Sequence, residues 1–165
     1  MSNYNAVLDV SFSQESSNSL SLSDVKNWLK IDLNDEDAIL QLIVTAARIE
    51  IENYVNLSLV ERTVTANIVN RLGNFILPYG PVKAISSYTD LLNNANDYTS
   101  KMNLINESFE GSGIVVYTAG FAILPANLRI AWLQQCAFMY EHRGDGSAGD
   151  LSHVVKTSLK AIRRI

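Results

Sequence analysis

Val116-Tyr117-Thr118-Ala119-Gly120-Phe121, followed by Leu124-Pro125-Ala126-Asn127-Leu128-Arg129 and then Tyr140-Glu141-His142-Arg143, marks a switch from one kind of structure to another. Val116 and Tyr117 favour a pleated, half-buried strand. Gly120 permits a positive φ where the chain must turn. Pro125 suits the first helical position, where its missing N–H is not needed. The spacing predicts a strand over 113–118, a glycine turn, and a helix over 125–142. That helix is the most apolar in the chain and should be its core element.

Upstream, residues 59–119 abandon the helical period for short β-like runs at 59–68, 74–77, 82–89 and 103–105, separated by turns rich in Gly, Pro and Asn. Residues 91–97 read as an exposed loop. Before this region lie two helical patterns. The first spans 22–30, with Ser21 as N-cap and Asp24 three residues on, an acidic variant of the capping box. The second starts after Asn34, its expected cap, and reaches about Asn56. Ile39, Leu42, Ile43, Ala46 and Ala47 give it an apolar stripe, widened by Leu40, Val44 and Ile51. An arc so broad fits contacts on two sides. Trp28 and Trp132, beside apolar neighbours, read as core residues.

The ends differ from the middle. Residues 1–20 are polar apart from Val7-Leu8-Asp9-Val10-Ser11-Phe12, which alternates like a strand, and they read as an N-terminal arm. Residues 144–165 form a glycine-rich hinge and an amphipathic helix. Leu151, Val155, Leu159 and Ile162 share one face with Val154 beside them, and Lys156, Lys160, Arg163 and Arg164 lie opposite. The connecting residues 21–143 make the body. The fold class expected is α+β, mainly α: a small helical bundle with an inserted antiparallel β region.

Composition narrows the function. The chain has 165 residues, enough for a real core, with a net charge of −4. Four basic and no acidic residues follow Asp150, so the preceding part carries nine basic against seventeen acidic side chains, a balance of −8. Such a body should not cling to phosphates. No apolar run is long enough to cross a bilayer, so no membrane partner is expected. The N-terminus has no secretory pattern. Cys136 is alone and reads as a buried thiol.

No reactive constellation emerges. Asp32-x-Asn34-x-Glu36 starts like a calcium loop, but Asp37 stands where glycine is needed and Ile43 where glutamate is needed. His142 and His153 lack zinc partners. Ser147, Asp150 and His153 crowd into the glycine hinge, with no nucleophile elbow. Glu50 and Glu52, two apart, cannot face each other on a helix. There is no phosphate-binding glycine motif. No catalytic, metal or cofactor site is expected, and the chain is not expected to be an enzyme.

Several words in order do carry information. Ser21-Leu22-Ser23-Asp24-Val25-Lys26-Asn27-Trp28-Leu29-Lys30-Ile31-Asp32 followed by Asp35-Glu36-Asp37, then Ala46-Ala47-Arg48, Glu52-Asn53-Tyr54 and Leu77-Pro78-Tyr79-Gly80-Pro81-Val82, precede the C-terminal phrases above. Together they resemble the gp6-like head–tail connector (adaptor) proteins of long-tailed bacteriophages. Asn56-Leu57-Ser58 departs from the Gly-Arg usual before the family's first strand.

The resemblance implies a structural virion protein of the neck, present in host cytoplasm during assembly. It implies a homo-oligomeric ring matching a twelve-fold portal protein, a downstream stopper or tail-completion protein as the other partner, and DNA passing without specific binding. It also implies portal contact through the C-terminal segment: Leu151, Val154, Val155, Leu159, Ile162, Arg163 and Arg164. Leu40, Val44 and Ile51 are the expected subunit contacts. The alternatives are a stopper or tail-completion role, or a nucleic-acid-binding accessory protein using the basic tail.

Overall fold

Gly120 ends its strand with φ 107°, and a Cβ there would stand 2.1 Å from the Val60 carbonyl oxygen, so the turn demands glycine. In the computed structural model, residues 6–13, 20–69, 74–90, 92, 102–103, 108–110, 112–144 and 150–163 are described. The expected loop at 91–97 falls almost wholly outside them, as do most of the glycine hinge and Arg164. The fold is α+β. The chain divides into two units, Met1–Ser17 with Val60–Ala122 and Asn18–Leu59 with Ile123–Ile165.

The first unit is built on a four-stranded antiparallel sheet. Its strands are β1 (Ala6–Ser13), β2 (Arg62–Val69), β4 (Val82–Asp90) and β7 (Gly113–Ala119), in the order β1-β2-β7-β4. Short strands β3 (Asn74–Ile76), β5 (Met102–Asn103) and β6 (Ser108–Glu110) form a second sheet, ordered β3-β6-β5. Strand β2 alternates strictly, burying Arg62, Val64, Ala66 and Ile68. Val64 faces Tyr117 and Ala66 faces Val115 across the ladder, so one face of the sheet becomes a core. Tyr117 also donates its buried hydroxyl to the Pro78 carbonyl at 2.6 Å.

Strand β4 buries Val82, Ile85 and Tyr88 at a spacing of three, not two. Register shifts between Val82 and Ala84 and between Ile85 and Ser87 explain it. Each inserts one residue and returns the next apolar side chain to the same face. Within the stretch expected as an N-terminal arm, residues 6–13 form β1 and pair with β2 from Ala6–Val69 to Ser13–Thr63. Phe12 is held there by the Arg62 guanidinium, 3.6 Å from its ring centre.

The second unit holds helices α1 (Leu22–Leu29), α2 (Asp37–Val55), α3 (Ala126–Glu141) and α4 (His153–Leu159). The capping box at Ser21 and Asp24 forms as expected. Asn34 does not cap α2. Its side chain accepts instead from Lys26 Nζ at 2.6 Å, and the same ammonium reaches Asp37 at 2.7 Å, tying α1 to the start of α2. Pro125 stands one place before the first helical residue of α3, as the N-cap.

Helix α3 buries Leu128, Ala131, Trp132, Leu133, Gln135, Cys136 and Met139, which occupy most of its circumference, and so it is the core element expected. Trp132 donates its indole N–H to the Val44 carbonyl at 2.9 Å, fixing α3 against α2. After α2, Asn56 takes a left-handed conformation, and the buried Glu52 carboxylate accepts the Leu59 backbone N–H at 2.8 Å. This glutamate therefore organises the stretch 56–58, where the sequence departs from the connector pattern.

Candidate subunit interface

Helix α2 carries two apolar stripes. Leu40, Val44, Ala47, Ile51 and Val55 recur near the helical repeat and are buried. Ile39, Leu42, Ile43, Ala46 and Ile49 form a neighbouring stripe that stays open to solvent, with Leu42 71% exposed, Ile39 46% and Ile49 45%. With Met139 of α3 they line an open groove of about 490 Å³, edged by Glu50 and Arg143. An apolar concavity of this kind on a helix surface marks a place where another chain can bury area.

One end of the groove is held by ionic chemistry. Arg143 donates to Glu36 Oε1 at 2.8 Å, and the Tyr140 hydroxyl donates to Glu36 Oε2 at 2.5 Å. The Tyr140 hydrogen bond, and then Arg143, hold the Glu36 carboxyl below its usual range. The Arg143 guanidinium also lies 4.6 Å from the Tyr140 ring centre. These contacts tie the C-terminal end of α3 to the approach of α2.

A family profile described as phage gp6-like head–tail connector protein matches residues 19–162. The chain belongs to that family. The connector is thus a structural virion protein of the neck, between head and tail. It resembles in fold a chain from the neck of empty gene transfer agent (GTA) particles, computed with C6 symmetry, at TM-score 0.74 and 22% identity, over 96% of each chain. A chain from the virion of the native GTA particle aligns at TM-score 0.73 and 21% identity, covering 94% of this chain and 95% of that one. One from the native GTA neck, computed with C12 symmetry, gives 0.72 and 19%, over 96% of each. No curated protein matches the connector.

The residues singled out from sequence fall in unexpected places. Leu40, Val44 and Ile51 belong to the buried stripe of α2, covered by the connector's own helices, and the apolar stripe left exposed is the one next to them. In the tail, Leu151, Val155 and Leu159 are buried as well, packed in the unit where α4 meets α3. Val154 is 63% exposed, Ile162 is half-buried, and Arg163 is exposed with its guanidinium 5.0 Å from the Tyr54 ring centre. The tail helix is also shorter than the expected 151–165, ending at Leu159.

Sequence reading missed what holds the tail. Gln135 is fully buried. Its amide N–H donates to the Asp150 carbonyl at 2.9 Å, and its amide oxygen accepts the Ser152 N–H at 3.0 Å. A glutamine within an apolar helix was the available signal, since a buried amide needs partners. Trp28, read as core, is 45% exposed on α1. Cys136 is buried as expected, and burial pushes its thiol up to about 12. Among the described residues no cluster of His, Cys, Asp or Glu could hold a metal ion, and no helix is long and apolar enough to cross a membrane.

Proposed function

We propose that the connector works without catalysis, as one subunit of a twelve-membered ring that joins the portal to the next tail-side protein and leaves a passage for DNA. The observation that carries the reading is the open apolar stripe of α2, Ile39 to Ile49, on a chain whose family connects heads to tails. The C12 symmetry named for the GTA neck relative supports the number of subunits. A rotational ring needs head-to-tail contacts between unlike surfaces, repeated until they close.

The portal contact is proposed at the C-terminal end, through Ile162, Arg163 and Arg164 with Val154 nearby. Leu151, Val155 and Leu159 join it only if Gln135 releases the tail, because they are buried in the free chain. Electron microscopy of the purified chain, alone and mixed with capsids bearing the cognate portal, tests the reading. Rings are expected, alone or on the portal vertex. A chain that stays monomeric at high concentration and leaves portal vertices bare refutes it.

A further inference from the structure

We infer that Tyr54 positions Arg163 for the portal and that the group Arg163 meets there is a carboxylate, an inference that rests on the portal contact proposed above. Tyr54 stands in the last turn of α2, and two contacts tie it to the tail. Its hydroxyl donates to the Lys156 carbonyl at 3.4 Å, and the Arg163 guanidinium lies 5.0 Å from its ring centre. A carbonyl oxygen has two lone pairs, so Lys156 can accept this bond beside one from within its own helix.

The chain beyond α4 is bent so that the second contact forms. Ile162 and Arg163 both donate their backbone N–H to the Leu159 carbonyl, at 2.9 and 3.1 Å. The chain therefore makes a further tight turn past the last residue of the helix, and that turn sets Arg163 within reach of α2. Tyr54 is half-buried and Arg163 is exposed, so the ring belongs to the packed unit while the arginine stays open to solvent.

What the ring leaves free decides the partner. A ring face attracts the guanidinium as a charge without consuming the N–H fork that fits a carboxylate. Arg129 and Arg143 show the contrast, since they are already paired with Asp24 and Glu36. Among the described residues no carboxylate pairs with Arg163, and Glu50, one turn before Tyr54 on α2, makes no ion pair with it. Lys156 and Lys160 are exposed and basic as well, so this end of the tail calls for negative charge. An arginine already placed also loses less side-chain freedom on binding than one that is free to move.

Binding of the full chain to immobilised portal rings, run as a double-mutant cycle, tests this. Arg163→Ala should weaken binding about tenfold, the worth of a charged hydrogen bond. That difference from the parent should shrink between about 0.1 M and 1 M salt, as an ion pair is screened. Tyr54→Leu should weaken binding about two- to fivefold, the worth of an exposed cation–π contact. Tyr54→Phe keeps the ring and should restore most of the affinity. In a chain that already carries Arg163→Ala, Tyr54→Leu should cost nothing further. An equal cost there, or Tyr54→Phe binding as poorly as Tyr54→Leu, would mean that Tyr54 only seats the tail, and would overturn its positioning role. A loss for Arg163→Ala with none for Tyr54→Leu would overturn the inference and leave the portal contact standing. A loss for Arg163→Ala that salt does not change would overturn the carboxylate. If the parent chain leaves the portal rings bare, or Arg163→Ala binds as the parent does, the portal reading at this residue fails and takes the inference with it.

Discussion

The Gln135 side chain clasps the chain on both sides of Leu151, donating to the Asp150 carbonyl and accepting from the Ser152 N–H. Both bonds are made to backbone, so the clasp fixes where α4 begins whatever side chains it carries. The same Ser152 caps α4 by accepting the Val155 N–H at 3.3 Å. The tail is thus seated on α3 by a polar lock above an apolar contact of Leu151, Val155 and Leu159.

Gln135→Leu should loosen that lock, since it leaves the Ser152 N–H and Asp150 carbonyl without their partner. A loss of about 1–3 kcal/mol is expected, read by urea denaturation. Hydrogen exchange should rise first across 150–159. An unchanged exchange pattern would mean that the apolar contact alone holds the tail.

Leu159→Asp should be far more damaging than a change on the outside of the same helix. It places a carboxylate in a fully buried site, with an expected cost above about 3 kcal/mol. Val154→Asp should leave the melting temperature within a few degrees of the parent while weakening attachment to the portal, because Val154 is 63% exposed. Equal losses of stability in the two variants would contradict the burial described for α4.

Glu52 is expected to be the main support of the helix-to-strand junction. Glu52→Ala removes the acceptor of the buried Leu59 N–H and should cost about 2–3 kcal/mol. Glu52→Gln keeps an oxygen in place and should cost less. Calorimetry of the two variants measures the difference, and a milder effect for alanine would show that the bond contributes little.

The Cys136 thiol should resist alkylation at pH 8 in the folded chain and react at once in denaturant, because its pKa is raised from 9.0 to about 12 by burial. The folded state then holds a proton that the unfolded state loses between those values. Stability should therefore be unaffected by this group below about pH 9 and fall as the pH rises toward 12. Fast labelling of native protein would show that α3 opens readily.

Intact connector should bind duplex DNA weakly. The chain before the tail carries a balance of −8, and tight binding requires many phosphates to be neutralised by basic side chains. A gel shift in the nanomolar range at physiological salt would favour the nucleic-acid reading of the basic tail.

The sequence by itself determined the pieces whose causes are local. The β-like run at 59–68 pointed to β2, which forms over 62–69, Gly120 was required by its turn, and Ser21 with Asp24 set the start of α1. The ordered words from Ser21 to Arg143 were enough to point to the connector family. Tertiary structure decided which apolar residues remain in view. Leu40 and Leu42 are the same residue about 200° apart on one helix, and only packing on α3 and α1 makes the first core and the second surface. Nor could periodicity tell that the amphipathic tail would turn its apolar face inward, because hydropathy records that a face must be covered and not by what. The cover came from α3, through Gln135, across a separation in sequence that no local pattern spans.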